Sequence, residues 1–224
     1  MILVIRGHIR NSFETRELYN FVESLYNITP DLNIYIHTWN IFSNNISWRH
    51  IEIDNRTVNE EIINKYFGKY SSCIKHIIID NDKNVKLIGN LEGKINNGLA
   101  PIIGWKNYWY GKHRIIDYIY NQNIDLNEMI VNFRFDIFDN SNNFDNKFIV
   151  NFIKNNIGKK FTKNIFMYND EHHNGIDNIY IGNIRTMYKL VCTFHFNLDS
   201  ILFRNNNIIN QERLVYRINS MLFD

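Results

Sequence analysis

Features that narrow a protein quickly are scarce in this sequence. Cysteine and proline each occur only twice in 224 residues. Cys73 and Cys192 stand far apart and in no metal-ligand spacing. That excludes a disulfide framework and a cysteine-built zinc site, and it fits buried, inert thiols in a reducing compartment. Long apolar runs are missing too: "IKHIII" and "APIIGW" fall far short of the roughly 20 residues a membrane span needs. Nor is there an excess of one charge. The net charge is +2 with acids and bases spread along the chain, so no basic stripe of the kind that follows a nucleic-acid backbone is present. Met1 leads straight into a strand-like run, and no leader segment is read. The expectation is one compact, soluble, cytoplasmic unit over residues 1–224, without a nucleic-acid partner or a membrane span.

Apolar side chains are plentiful. At 45% hydrophobic the chain can bury a sizeable core. Asn and Ile are in excess, a bias that follows AT-rich codons and blurs periodicity, because Ile fills core positions in helices and strands alike. Two β-rich runs, "MILVIR" and "LNIYIHT", flank a stretch in which Leu18, Phe21, Val22 and Leu25 recur at helical spacing. Ser12 is the expected N-cap of that helix and Pro30 follows its end. This is β-α-β, the opening of an α/β sheet. A helix "VNEEIINKYFG" closing at Gly68 precedes a strand over 74–80, and a Gly- and Asn-rich loop runs from there to about residue 101. An aromatic helix from about residue 104 follows, with Trp105, Tyr108, Trp109, Ile115, Ile116 and Ile119 on its apolar face. Lys106 or Tyr110 of that helix is a further candidate to reach a ligand. The remainder reads as a strand "EMIVNFRFDIF", a helix "FDNKFIVNFIKNN", strands "NIFMY" and "IDNIYIG", and helices over about 183–203 and 210–222.

Chemistry is most concentrated at strand ends. "EMIVNFRFDIF" sends Asn132, Arg134 and Asp136 to one side and Val131, Phe133 and Phe135 to the other. An acid next to an arginine at such an end can hold a cation or ribose hydroxyls while the guanidinium meets a phosphate. Equally, the two side chains can simply pair. "RGHIR", directly behind the first strand, places Arg6, Gly7, His8 and Arg10 where α/β sheets bind ligands, beyond the strand carboxyl ends. His172 and His173 sit in a turn, where adjacent residues point apart, and make a weak metal pair.

Six stretches occur in one order from about residue 3 to 218: "RGHIRNSF", "YIHTW", "WKNYWYGKHRI", "VNFRFD", "IDNIYIGNIRTMYKL" and "NQERLVYRIN". That series resembles a family of small polysaccharide-type glycosyltransferases of bacteria and large DNA viruses. Their pattern is Gly-Gln-X-Arg after a first strand, His-Thr-Trp after a second, and Arg-X-Asp in place of Asp-X-Asp. An Asp-bearing strand ending in Ile-Gly then precedes a Glu-containing last helix. The resemblance implies a single GT-A-like Rossmann-type domain, with a central mixed, mostly parallel sheet flanked by helices and a helical C-terminus.

It further implies a nucleotide-diphosphate sugar donor bound by Arg6, Gly7, His8, Arg10, His37, Thr38, Arg134 and Asp136. His8 stands in the place of the family's Gln, and Trp39 is read as packing. A glycan or other hydroxyl acceptor would be activated by Asp177, with Glu212 as the second candidate base. The product would be a surface polysaccharide or glycoprotein glycan, made in the cytoplasm, or the host cytoplasm for a virus. Asp136 is the one implied ligand for Mn²⁺ or Mg²⁺, and with Arg in place of the first acid the metal dependence stays open. Two other classes compete: a non-catalytic nucleotide- or glycan-binding protein on the same fold, and a phosphoesterase, which lacks the acid cluster two-metal chemistry requires.

Overall fold

The computed structural model describes residues 1–46, 51–95, 98–138, 144–169, 172–208 and 210–224, without the side chains of 168, 169 and 172–175. The His172–His173 pair therefore lies outside the described side chains. In chain order the elements are β1 (Ile2–Arg6), α1 (Glu17–Ile28), β2 (Asn33–Trp39), β3 (Ile41–Ser43), β4 (Asp54–Thr57), α2 (Glu60–Phe67) and β5 (Ile74–Asp80). Then come α3 (Ile102–Tyr120), β6 (Met129–Arg134), α4 (Asn146–Lys154), β7 (Ile165–Asn169), β8 (His172–Asn183), α5 (Ile184–Arg204) and α6 (Gln211–Phe223).

A six-stranded sheet runs in the order β5-β2-β1-β6-β8-β7. β5, β2, β1 and β6 are parallel, and β8 and β7 add antiparallel pairs. This is the expected mixed, mostly parallel sheet flanked by helices, with a helical C-terminal region. Strand alternation splits the interior in two. Leu3, Ile5, Ile36, Val131, Phe133 and Ile181 pack under α1, α2 and α4, while Ile2, Val4, Tyr35, Ile130 and Tyr180 pack under α3, α5 and α6. On each strand the two sets are neighbours in sequence, so one pleated backbone supplies both cores.

Two local readings need correcting. Ser12 does not cap α1. Its Oγ donates to the Phe135 carbonyl at 2.8 Å, and α1 begins only at Glu17, after a stretch of turns, with no side-chain cap. The short antiparallel pair β3–β4 was not expected; its strands of three and four residues carry too little alternation to read. Gly68, at the end of α2, takes φ 53°, a positive value that favours glycine, where glycine was the expected stop. Cys73 is buried as expected, whereas Cys192 is half-buried, and both are free thiols. No described helix is long and apolar enough to cross a membrane.

The order of strands fixes where a ligand can sit. From β1 the chain moves outward to β2 and β5 with helices on one face. It then crosses through α3 on the other face to β6, on β1's far side. β1 and β6 thus form a topological switch point, and the crevice at their carboxyl ends is the site such sheets offer.

Candidate functional site

At the last register position of β1, Arg6 lies opposite His37 of β2 and Arg134 of β6. All three belong to the face covered by α3, where residues two positions earlier are apolar or, at Asn132, an uncharged amide. Beyond β6 the chain tightens into a 3₁₀ turn, Phe135–Ile137, that swings Asp136 back toward the switch point.

Asp136 is almost fully buried, and two guanidiniums hold it. Arg134 Nε donates to Oδ1 at 2.8 Å and Arg134 Nη2 to Oδ2 at 2.6 Å, a bidentate fork. Arg10 Nη1 donates to Oδ2 as well. Arg134 also donates through Nη1 to Asn178 Oδ1 at 2.9 Å. The side chains of Arg10 and Arg134 are 19% and 20% exposed against 3% for Asp136. Arg10 has φ 53°, making it the one non-glycine residue of positive φ among those described. That conformation costs an L-residue roughly 1–2 kcal/mol. Here it accompanies a 2.8 Å bond from the Arg10 amide to the Phe42 carbonyl of β3. Gly7, at φ 98°, takes a conformation that a side chain would strain, and a Cβ there would meet nothing within 4 Å. Thr38 Oγ1 donates to the Gly7 carbonyl at 2.9 Å, tying the loop down from the opposite face.

His8 stacks on Trp39 with ring centroids 5.8 Å apart, and its Nε2 is shielded from solvent with no hydrogen-bond partner among the described residues. Burial, with Arg10 beside it, lowers its imidazole to about 3, so it is neutral at pH 7. His37 is wholly buried. Burial lowers it too, against the pull of Asp80, whose Oδ2 lies 3.3 Å from Nε2. Trp39 is buried between His8 and Tyr110, in agreement with a packing role.

Behind the rim lies a second layer. Arg6 Nε donates to Asn132 Oδ1 at 2.8 Å and Nη2 to the Tyr108 hydroxyl at 2.9 Å. That hydroxyl donates in turn to Asp177 Oδ2 at 2.8 Å. Burial pushes the Tyr108 phenol well up, so it stays a proton donor. The Arg6 guanidinium lies 4.1 Å from the Tyr108 ring centre and the Lys112 ammonium 4.0 Å from it. Lys112 is fully buried among the rings of Tyr108, Trp109 and Tyr180, and its Nζ has no hydrogen-bond partner among the described residues. The rings favour its charged form; burial and the neighbouring guanidiniums oppose it and drive it well below the ordinary lysine value.

The fold therefore gathers Arg6, Gly7, His8, Arg10, His37, Thr38, Arg134, Asp136 and Asp177 at one end of the sheet. α6 runs antiparallel to β7, with Tyr216 beside Phe166 and Asn219 bonded to Asn164, so its first turn and half-buried Glu212 reach the same sheet end on the edge-strand side. Lys106 does not join the cluster: its Nζ binds Asp199 Oδ1 at 2.6 Å and the Ile88 carbonyl, and Asp199 also accepts from the Asn90 amide at 2.9 Å. These bonds strap the β5–α3 loop to α5. Tyr108, Lys112 and Asn178 were missed as site residues. For Lys112 the signal was there, since it falls at helical spacing between Trp109 and Ile116 on the apolar face.

Among the described residues, those around Asp136 do not fit a divalent cation. Both carboxylate oxygens are engaged by guanidiniums, and no group of three or more His, Cys, Asp or Glu able to hold a metal exists among the described residues. What the cluster holds is two guanidiniums beside one carboxylate.

No family model matches the chain, and neither does any curated protein. A solved structure, described as an active-site mutant of LgtC, is similar with a TM-score of 0.46 and 10% identity, over 98% of this chain and 70% of that one. A likeness at that level decides nothing about the chemistry.

Proposed function

We propose that the chain is a glycosyltransferase that binds a nucleoside-diphosphate sugar at the β1/β6 switch point and passes the sugar to a hydroxyl of a glycan acceptor. The observation that carries this reading is the convergence of two partly exposed arginine side chains, Arg10 and Arg134, on one buried carboxylate at that point, with a second carboxylate, Asp177, in the layer behind. In this reading the guanidinium rim receives the diphosphate, and Gly7 lets the nucleotide lie close to the backbone. Asp177, one oxygen held by Tyr108, takes the acceptor proton in an inverting transfer. Glu212 is the alternative base.

A second reading, a non-catalytic binding protein, is favoured by the burial of Asp177, which is only 6% exposed. One experiment separates them. The protein is incubated with a panel of sugar nucleotides, with and without glycan acceptors, while bound ligand and released nucleoside diphosphate are both measured. Release together with binding supports the transferase; binding without release across the panel supports the binding protein; absence of binding overturns both.

A further inference from the structure

Resting on that reading of the site, we propose that Lys112 is a proton switch behind it: protonated, the side chain adds a positive charge beneath Tyr108 that strengthens the hold on an anionic donor; deprotonated, it withdraws that charge. Lysine is almost never fully buried unless it is paired. Lys112 is fully buried, and its Nζ has no hydrogen-bond partner among the described residues. Rings take the place of a partner. Nζ lies 4.0 Å from the centre of the Tyr108 ring, 4.1 Å from that of Trp109 and 4.8 Å from that of Tyr180. Arg6 shares the first of these rings, 4.1 Å from its centre, and donates to the hydroxyl that in turn binds Asp177.

The charged and titratable groups around Nζ pull both ways. Arg6 of β1 and Arg134 of β6 oppose a proton there, and Asp177 of β8 favours it. Tyr108 of α3 and Tyr180 of β8 have phenols that burial pushes up, so they stay uncharged. From β2, His37 packs on the neighbouring Gly111, and from α5, Phe194 stacks on Trp109. An ammonium taken out of water without a hydrogen bond loses its solvation and regains only the ring contacts. Burial, then Arg6, accordingly moves Lys112 well below the ordinary lysine range. An anion bound in front of the two arginines adds to the side of Asp177 in this balance, so proton and ligand reinforce each other.

The test begins with the free protein. NMR of isotope-labelled lysine side chains follows each resonance against pH, with Lys112 assigned by its ring contacts and by its loss in Lys112→Met. Its midpoint should lie well below the value of about 10.4 at which exposed lysines titrate. Urea unfolding between about pH 6 and about pH 10 then compares the two proteins. The unfolded chain keeps this proton up to about pH 10.4 and the folded protein releases it earlier, so wild-type stability should rise with pH across the interval between. The rise should approach a tenfold drop in the unfolding constant per pH unit, and Lys112→Met should lack it. Should the variant not fold, the wild-type resonance decides by itself. Calorimetry with nucleoside diphosphates addresses the site: from below the midpoint to above it, wild-type affinity should fall by about threefold or more relative to Lys112→Met. A midpoint shared with the exposed lysines, equal slopes in the two proteins, or affinities that change with pH alike in both would each overturn the proposal. A low Lys112 midpoint with no nucleoside diphosphate bound at any pH supports the buried switch while overturning the nucleotide-sugar reading.

Discussion

The two faces of the sheet are built from the same strands and end differently. Under α1, α2 and α4, the inward residues of β1, β2 and β6 are apolar to the last position, with Ile5, Ile36 and Phe133 all fully buried. Under α3 the same strands begin with Ile2 and Ile130 and finish with Arg6, His37 and Arg134, also largely buried but carrying charge or a titratable ring. Burying apolar area stabilises at about 25 cal/mol per Å², whereas burying an unpaired charge costs several kcal/mol. On the second face both arginines are hydrogen-bonded, Arg6 to Asn132 and Tyr108 and Arg134 to Asp136 and Asn178, while Lys112 lies against the rings of Tyr108, Trp109 and Tyr180. One face is spent on stability and the other on a site.

The comparison is broken most strongly at Asp177. On the proposed role of Asp177 as base, Asp177→Asn is expected to lower turnover by roughly 10²–10⁴-fold with donor affinity unchanged, since the amide cannot accept the proton and leaves Arg10 and Arg134 alone. Equal turnover in variant and wild type shifts attention to Glu212. On the apolar face, Phe21→Ala removes a ring stacked 4.4 Å from Phe133 and should cost about 3–5 kcal/mol in denaturant unfolding, with ligand affinity of the folded fraction unchanged. A change in affinity would mean that the two faces are not independent.

Gly111 sharpens the contrast. In an exposed helix interior, alanine for glycine stabilises by about 1 kcal/mol, but here its Cβ would sit 2.6 Å from the His37 ring. Gly111→Ala should therefore destabilise, by about 1–3 kcal/mol, as α3 lifts from β2. The smallest effect is a pH dependence on the α3 side. His195 stacks on His113 at 4.2 Å; burial, then the His113 charge, lowers its imidazole to about 4. The unfolded chain binds that proton from about pH 6.5 downward and the folded protein only near pH 4, so stability should fall modestly as pH drops between them. In His195→Gln the slope of stability against pH over that interval should flatten, and an unaltered slope would remove His195 from the account.

Much of this was legible in the sequence, for identifiable reasons. The alternation in "VNFRFD" assigned Asn132 and Arg134 to one face and Phe133 to the other, because a two-residue period survives without knowledge of neighbours. The 74–80 strand and the glycine stop at Gly68 were local signals of the same kind. Ser12 failed because its hydroxyl is used by the Phe135 carbonyl, 123 residues away, a partner no window contains. The embrace of Asp136 by Arg10 was illegible for the same reason, since 126 residues separate them. Lys112 is hidden by its setting, because aromatic stripes on helices are usually packing and a lysine within one carries no sign of burial in the sequence beyond its spacing.

The strapped loop between β5 and α3 falls at the seam of the molecule. Before it come β1, β2 and β5 with Arg6, Gly7, Arg10 and His37; after it come α3, β6 and β8 with Tyr108, Arg134, Asp136 and Asp177. A chain opened within residues 82–92 separates into two fragments, each holding half of the candidate site. The parallel pairing of β1 with β6 and the bonds of Arg6 and Arg10 to Tyr108, Asn132 and Asp136 all cross that cut. Recovery of ligand binding on mixing the fragments would read out their complementation directly, which makes this segment the place to split the protein into a reporter.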